Sequence, residues 1–233
     1  MSVNYSLLKK SEENLKEFFY SYISHSIKMH DQVLSLIEKA RTKDETIHDA
    51  MKTLTEMENF SDHVQVDNVN ELLWDLSKDQ PMLDHLRWYI CVLNSLGDIE
   101  RINDYLFFLG KFFTKYHHMM STDTLEIAVT LNQKLNELFH NFLKYARRKQ
   151  ASKFFEVFQK EKNDYKVFCD KKIEELALKL EQEKINIQII IKLSFELHSH
   201  YRIVERMENI LENLVFINEP EYFQKKLSQN EQI

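Results

Sequence analysis

Apolar residues recur along residues 8–37 at steps of mostly three, four and seven, which is the spacing of one face of an α-helix. The stripe consists of Leu8, Leu15, Phe19, Ile23, Ile27, Val33 and Ile37. Similar apolar stretches follow along the chain, separated by polar corners or by proline, which cannot lie inside a helix. Six helices are therefore predicted, over residues 8–40, 47–76, 82–118, 121–146, 152–180 and 186–217.

The composition supports an all-α fold. The chain has 233 residues but only two glycines and two prolines. These are too few to form the tight turns of a β-sandwich or a wound α/β sheet. Long helices joined by short polar corners need almost no such turn residues.

The six predicted helices divide into two groups of three that resemble an internal repeat. Arg202 and Ile203 follow Arg101 and Ile102 at an offset of 101 residues, and each pair precedes an acid by two positions. We therefore predict two tandem three-helix bundles, similar to spectrin repeats. The predicted units are residues 1–118, residues 119–220 and a polar C-terminal tail over residues 221–233.

The charge and the hydropathy of the chain exclude several functional classes. The net charge of −6 leaves no basic footprint for nucleic acid on the chain as a whole. No apolar run approaches the roughly 20 residues that span a bilayer, and the first residues lack a secretory signal. Cys91 and Cys169 lie in apolar helical runs, as expected of buried thiols in a reducing compartment. A cytoplasmic protein without an integral membrane segment is expected.

Two pairs of acids interrupt apolar helix faces. At 100° per residue, Glu100 and Asp104 fall on one face of the third helix, and Glu58 and Asp62 fall on one face of the second. Like charges at this spacing destabilise even an exposed helix by about 0.2–0.5 kcal/mol. If the two helices pack antiparallel, all four carboxylates face each other.

Such a group of carboxylates needs a cation or water beside it. Arg101, a metal ion or bulk water are the three alternatives, and an exposed acidic strip neutralised by lysines remains the simplest interpretation. Oxygen-only ligands suit hard cations such as Fe³⁺, Mn²⁺, Mg²⁺ or Ca²⁺ better than a structural zinc.

The corresponding positions of the second half are only partly acidic. Tyr201 and Glu205 replace the acid pair of the third helix, and Glu161 precedes Tyr165 by four residues on the fifth. These tyrosines are interpreted as part of a rebuilt core, with phenols bonded to the remaining glutamates. The nearby His200 is expected to be solvated.

Two segments resemble the PhoU family of phosphate-transport regulators. Residues 80–87, Gln-Pro-Met-Leu-Asp-His-Leu-Arg, begin a helix with proline, and residues 97–105, Gly-Asp-Ile-Glu-Arg-Ile-Asn-Asp-Tyr, contain the acid-Arg-Ile-x-Asp signature. A weakened second copy lies in residues 201–205 and 209–217. The resemblance covers essentially the whole chain and implies two tandem three-helix bundles.

This resemblance also implies a function. Members of the family are cytoplasmic, non-enzymatic regulators that repress phosphate uptake when phosphate is ample. The expected partners are the cytoplasmic ATPase subunit of the phosphate ABC transporter, a phosphate-sensing histidine kinase where one is present, and a second copy of the chain in a homodimer. No nucleic acid partner is expected.

Some family members bind a metal ion or a small metal cluster through acidic helix motifs. Carried over to this chain, the principal ligands are Glu58, Asp62, Glu100 and Asp104, and the secondary candidates are Asp98, Glu161 and Glu205. Iron is the first expected metal, followed by zinc, manganese or magnesium, and a protein without metal remains an alternative.

Two alternative functions are also considered for this sequence. Glu45-x-x-His48 and Glu137-x-x-His140 have the spacing of di-iron carboxylate bundles, which is the pattern of a ferritin-like oxidase. A helical scaffold or interaction protein would explain the long amphipathic helices without any use of the acids.

Overall fold

The computed structural model of the protein describes residues 5–82, 84–182 and 187–224. These residues form α-helices and one short 3₁₀ helix, with no β-strand among them. The α-helices are α1 (Tyr5–Thr42), α2 (Ile47–Asp79), α3 (Asp84–Tyr116), α4 (Thr122–Ala146), α5 (Ala151–Gln182) and α6 (Ile187–Asn218), and the 3₁₀ helix is His117–Met119. The predicted all-α fold is confirmed, and the predicted helices match these bounds to within a few residues.

Local chemistry explains where the helices begin and end. The Ser121 hydroxyl accepts a hydrogen bond from the Thr124 amide at 3.1 Å, which caps the start of α4. Gln80 adopts the left-handed conformation with φ of 44° after α2. Pro81 follows directly, so the chain cannot continue as a helix there.

The two groups of three helices pack along each other. Helix α1 lies against α4, and α3 lies against α6, so buried apolar residues of both groups form one continuous core. The α3–α6 pair is antiparallel, as shown by contacts between Ser95 and Asn213 and between Tyr116 and Lys192. The division of the chain at residues 118 and 119 stays a prediction.

The start of the predicted C-terminal tail contacts the core. The Tyr222 hydroxyl donates a hydrogen bond to Glu156 Oε1 at 2.8 Å, and the ring of Phe223 packs edge-on against Phe155. The rest of that tail, residues 225–233, lies outside the described residues.

The two glycines occupy very different environments on α3, which leads to a prediction about stability. A Cβ at Gly97 would meet nothing within 4 Å, whereas a Cβ at Gly110 would lie 2.3 Å from Leu54 Cδ2 and 3.0 Å from Leu36 Cδ1. Both leucines are fully buried. Gly97→Ala is therefore expected to stabilise the protein by about 0.5–1 kcal/mol through helix propensity.

In Gly110→Ala, the overpacking of about 1–3 kcal/mol offsets or exceeds the same gain. Urea unfolding of both variants measures the difference, and Gly97→Ala is the matched control. Equal stabilisation by both substitutions would contradict the close approach of α3 to α1 and α2.

Candidate metal site

Three of the predicted acids meet between α2 and α3. One carboxylate oxygen of each of Glu58, Asp62 and Asp104 lies within 4.8 Å of those of the other two. Glu100 lies one turn before Asp104 on α3, close enough for each carboxyl to act on the pKa of the other. The structure thus brings together three of the four principal residues and places Glu100 beside them, and we call these four residues the acidic cluster.

The carboxyls of the acidic cluster are crowded and partly buried, which favours the binding of protons or cations there. Partial burial is the main cause that raises the pKa of Glu58, and the neighbouring Asp62 and Asp104 raise it further. Burial likewise raises the pKa of Glu100 and of Asp104, and the negative charge of Asp62 adds to both shifts. Crowding of like charges at a partly desolvated place is the common physical reason.

Arg101 partly neutralises this charge. Its Nε lies 3.7 Å from Glu100 Oε2, and its Nη1 lies 3.4 Å from Asp104 Oδ2. The Arg101 side chain is 60% exposed, so these are weak surface contacts. The positive charge of Lys111 also acts on Glu58. Of the three converging carboxylates, only Asp104 forms an ion pair within the described chain, and their oxygen-only donor set fits a hard metal ion.

A buried network of hydrogen bonds beneath the acidic cluster connects the helices on which the cluster lies. Asn103 Nδ2 donates to Ser61 Oγ at 2.7 Å, and Ser61 Oγ lies 2.9 Å from the Tyr22 hydroxyl. Ser61 directly precedes Asp62, and Asn103 directly precedes Asp104. The network therefore fixes the positions of these two carboxylates relative to each other. Sequence reasoning missed these three residues, although two of them are immediate neighbours of predicted ligands.

The secondary candidates lie elsewhere. Asp98 pairs with Arg206 of α6 at 2.7 Å. Glu161 accepts hydrogen bonds from the Tyr145 hydroxyl at 2.7 Å and from Asn141 of α4. Glu205 pairs with Arg202 at 3.0 Å, which repeats the contact between Arg101 and Asp104. Within the described part of the chain, these three acids do not form a second cluster.

The hydrogen-bond partners predicted for the two tyrosines of the second half are wrong. The Tyr165 hydroxyl lies 2.7 Å from His200 Nδ1, and the Tyr201 hydroxyl donates to Asp170 at 2.7 Å. His200 is buried rather than solvated. Tyr165 and His200 form a buried polar pair, as predicted for a rebuilt core, whereas the Tyr201 hydroxyl bonds to the exposed Asp170, and neither phenol bonds to a remaining glutamate.

The geometry also contradicts the ferritin-like interpretation. Glu45, His48, Glu137 and His140 are all exposed. Glu137 forms an ion pair with Lys134 on the surface of α4. Because a di-metal oxidase holds its Glu-x-x-His pairs in a shared core, this arrangement does not support such a centre.

Comparison with known proteins places the chain in a family. The fold and the acidic cluster define an all-α protein of two three-helix groups with a carboxylate-rich site in the first. The PhoU domain profile matches residues 9–108, which contain the whole acidic cluster. The chain belongs to the PhoU family.

The chain also has relatives that match nearly its whole length and solved structures with a similar fold. The chain is 31% identical over 225 residues to the "Uncharacterized protein MG409 homolog" of Mycoplasma pneumoniae, covering 95% of this chain and 99% of that protein. Its fold is similar to PhoU from Pseudomonas aeruginosa, with a TM-score of 0.74, 15% identity and coverage of 89% of this chain and 97% of the other.

A second solved structure has the same fold. It is the phosphate transport system regulatory protein PhoU from Streptococcus pneumoniae, with a TM-score of 0.71 and 16% identity, covering 92% of this chain and 98% of that one. Separately, none of the described helices combines the length and the apolar character needed to cross a membrane.

Proposed function

We propose that this protein is a cytoplasmic regulator of phosphate uptake that represses transport when phosphate is ample. The observation that carries the proposal is the PhoU domain match over residues 9–108. The similarity in fold to a phosphate transport system regulatory protein supports it. The role proposed here is non-enzymatic and is exerted by contact with other proteins.

The proposed partner is the cytoplasmic ATPase subunit of the phosphate ABC transporter. A phosphate-sensing histidine kinase is a second partner where the organism has one, and the working unit is a homodimer. Two long groups of helices packed side by side offer extended surfaces for such contacts.

We further propose that the acidic cluster holds a metal ion or a small metal cluster, with iron first and zinc, manganese or magnesium next. Glu58 and Asp62 of α2 and Glu100 and Asp104 of α3 are the proposed ligands. A bound cation would supply the positive charge that these carboxylates lack.

The residues of the chain define what such a site can do. The acidic cluster joins α2 to α3, and the hydrogen bonds of Ser61 with Asn103 and Tyr22 keep these two helices and α1 in register beneath it. Loss of the cation would leave four repelling carboxylates between two helices. We therefore propose that the site acts as a latch that sets the spacing of α2 and α3.

A deletion strain tests the regulatory role. A strain without this protein is expected to take up and store several times more phosphate than the parent under phosphate-rich conditions, because repression of transport is lost. Uptake of radiolabelled phosphate in rich and starved cells measures the effect, and restoration by the plasmid-borne wild-type gene is the control. Normal uptake and storage under both conditions would contradict the proposed function.

A further inference from the structure

A groove edged by lysines lies between α3 and α6, where α3 ends and α6 begins. It has a volume of about 310 Å³, and its lining includes Phe108, Lys111, Lys115, Lys192 and Phe195. We call these five residues the lysine groove. It lies beyond the acidic cluster along α3, since Phe108 follows Asp104 by one helical turn.

The two phenylalanines of the lysine groove are largely exposed. Phe195 is 68% exposed and Phe108 is 50% exposed. Ile187 and Ile191 precede Phe195 on α6 at intervals of four residues and are also exposed. A stripe of large apolar side chains at this spacing is the face that another helix covers, and a continuous exposed apolar patch marks an interaction site.

The internal repeat shows that the fold does not require these phenylalanines. At the offset of 101 residues, Phe195 corresponds to Asn94 and Phe108 corresponds to Asn209. Both asparagines are exposed, as the two phenylalanines are. The positions that this offset pairs are therefore polar in one half and aromatic in the other, and because all four side chains are exposed, burial in the core does not account for the two aromatic ones.

The lysine groove concentrates positive charge on a protein whose net charge is negative. The whole chain carries a net charge of −6, yet three lysines converge here. Within the described chain, Lys111, Lys115 and Lys192 form no ion pair with an acid at contact distance, although the charge of Lys111 also acts on Glu58, and Lys192 Nζ donates to the Tyr116 hydroxyl. A binding partner that complements this surface carries carboxylates beside apolar side chains.

Glu196 in the lining of the groove has a carboxyl oxygen without a hydrogen-bond partner in the described chain. This oxygen, Oε2, is buried, and burial raises the pKa of the Glu196 carboxyl to about 7. The corresponding residue of the other copy is Ser95, which accepts a hydrogen bond from Asn213 at 3.2 Å. The position equivalent to Asn213 is Phe112, which has no side-chain donor, so a donor on an occupant of the groove would give Glu196 a partner that the described chain does not supply.

We propose that the lysine groove docks an acidic amphipathic helix of a partner protein. Its apolar side chains would cover Phe108, Ile191 and Phe195, its carboxylates would meet the three lysines, and one of its donors would reach Glu196. A second copy that met this groove with its own groove, across a two-fold axis, would place lysines against lysines, which opposes that occupant. A concave groove with a carboxylate in its lining is a poor match for a flat anionic lipid surface. The inference deepens the proposed function, since it names the surface for protein contact and rests on that mode of action.

The probe is a labelled synthetic helix with leucines at intervals of four residues and glutamates on either side of them. Fluorescence anisotropy is expected to show saturable binding to the wild-type protein. The triple variant Lys111→Glu/Lys115→Glu/Lys192→Glu is expected to bind the peptide at least about tenfold more weakly, because three attractive contacts become repulsive. Circular dichroism checks that the variant keeps its helices, since these side chains lie on the surface.

The matched control is Lys153→Glu/Lys160→Glu/Lys171→Glu on α5, which changes the net charge equally at exposed positions outside the groove. It is expected to bind the peptide as the wild type does. Absence of binding to the wild type, or equal loss in both triple variants, would overturn the proposal.

Other occupants give other results, each of which would also overturn it. Loss of a dimer in the groove variant, measured by sedimentation, would assign the surface to a second copy. Lysine-dependent binding to phosphatidylglycerol vesicles without peptide binding would assign it to a membrane. Failure of the proposed function is seen separately, as normal phosphate uptake in the deletion strain despite a groove that binds the peptide.

Discussion

Protein that carries Glu100→Ala and Asp104→Ala is expected to lose its metal. The wild type, purified without a chelator or an affinity tag, should contain near-stoichiometric iron, manganese or zinc by elemental analysis. The double variant should contain background amounts, because it keeps only Glu58 and Asp62 of the acidic cluster. The matched control is Glu205→Ala, the equivalent position in the second half, which should leave the metal content unchanged.

Stability measurements distinguish a metal site from a structural role of the acids. Without metal, the double variant should be as stable as the wild type or slightly more stable, since two mutually repelling carboxylates are gone. Metal at 100 times its dissociation constant should stabilise only the wild type, by about 2.7 kcal/mol. For a chain of this size, that corresponds to a rise in melting temperature of about 5–10 °C.

The opposite outcome has an equally clear meaning. Equal metal contents in the two proteins, with no effect of added metal on the melting temperature of either, would contradict the proposed site. The acidic cluster would then be a solvated strip with Arg101 beside Glu100 and Asp104, and the scaffold interpretation would gain support. The PhoU fold and family would be unaffected.

Acidification from pH 7 to pH 5 is expected to destabilise the protein by a few kcal/mol through two buried histidines. Burial lowers the pKa of His30 to about 4 and the pKa of His200 to about 3. Both lie in the core, where Tyr165 contacts His200 and the side-chain oxygens of Asn132 and Asn136 contact His30.

The direction of the pH effect on stability follows from proton binding in the folded and the unfolded states. The unfolded chain binds protons at these histidines below about pH 6.5, while the folded chain does not until about pH 4. Their contribution to stability is therefore complete above pH 6.5 and decreases as the pH falls towards 4. Glu196, whose pKa burial raises to about 7, acts in the opposite direction, so a comparison of variants is needed.

His30→Gln and His200→Gln isolate the effect. Each variant is expected to lose a substantial part of the difference between the melting temperatures at pH 7 and pH 5. His198→Gln serves as the matched control, since His198 is exposed two positions from His200 and should keep the wild-type dependence. An unchanged pH dependence in both buried variants would show that neither histidine is held neutral in the folded protein.

Much of the fold was predictable because helices have a regular period. The apolar stripes and polar corners placed all six helices within a few residues of their bounds. The same period put Glu58 with Asp62 and Glu100 with Asp104 on shared faces, and the short connection at Pro81 made the two helices antiparallel neighbours. Those local facts were sufficient to bring the principal acids together.

Other features depended on which helix packs against which face. Asp98 meets Arg206, and Glu161 meets Tyr145, across contacts that neither helix specifies alone. His200 is buried because α6 turns that face inward, which a lone histidine in a mixed stripe does not reveal. The network of Tyr22, Ser61 and Asn103 joins three helices and was missed for the same reason.

By itself, the sequence determined the all-α class, the helix bounds, the internal repeat and the identity of the acidic cluster. All of these follow from spacing along one chain, where 100° per residue relates sequence directly to a helix face. Only the tertiary structure decided how the two groups of helices share a core, which acids and histidines find partners there, and that Phe195 and Lys192 meet Phe108 and Lys111 in one groove. Contacts between distant residues depend on how helix faces are matched in space, and no periodicity within a single helix contains that information.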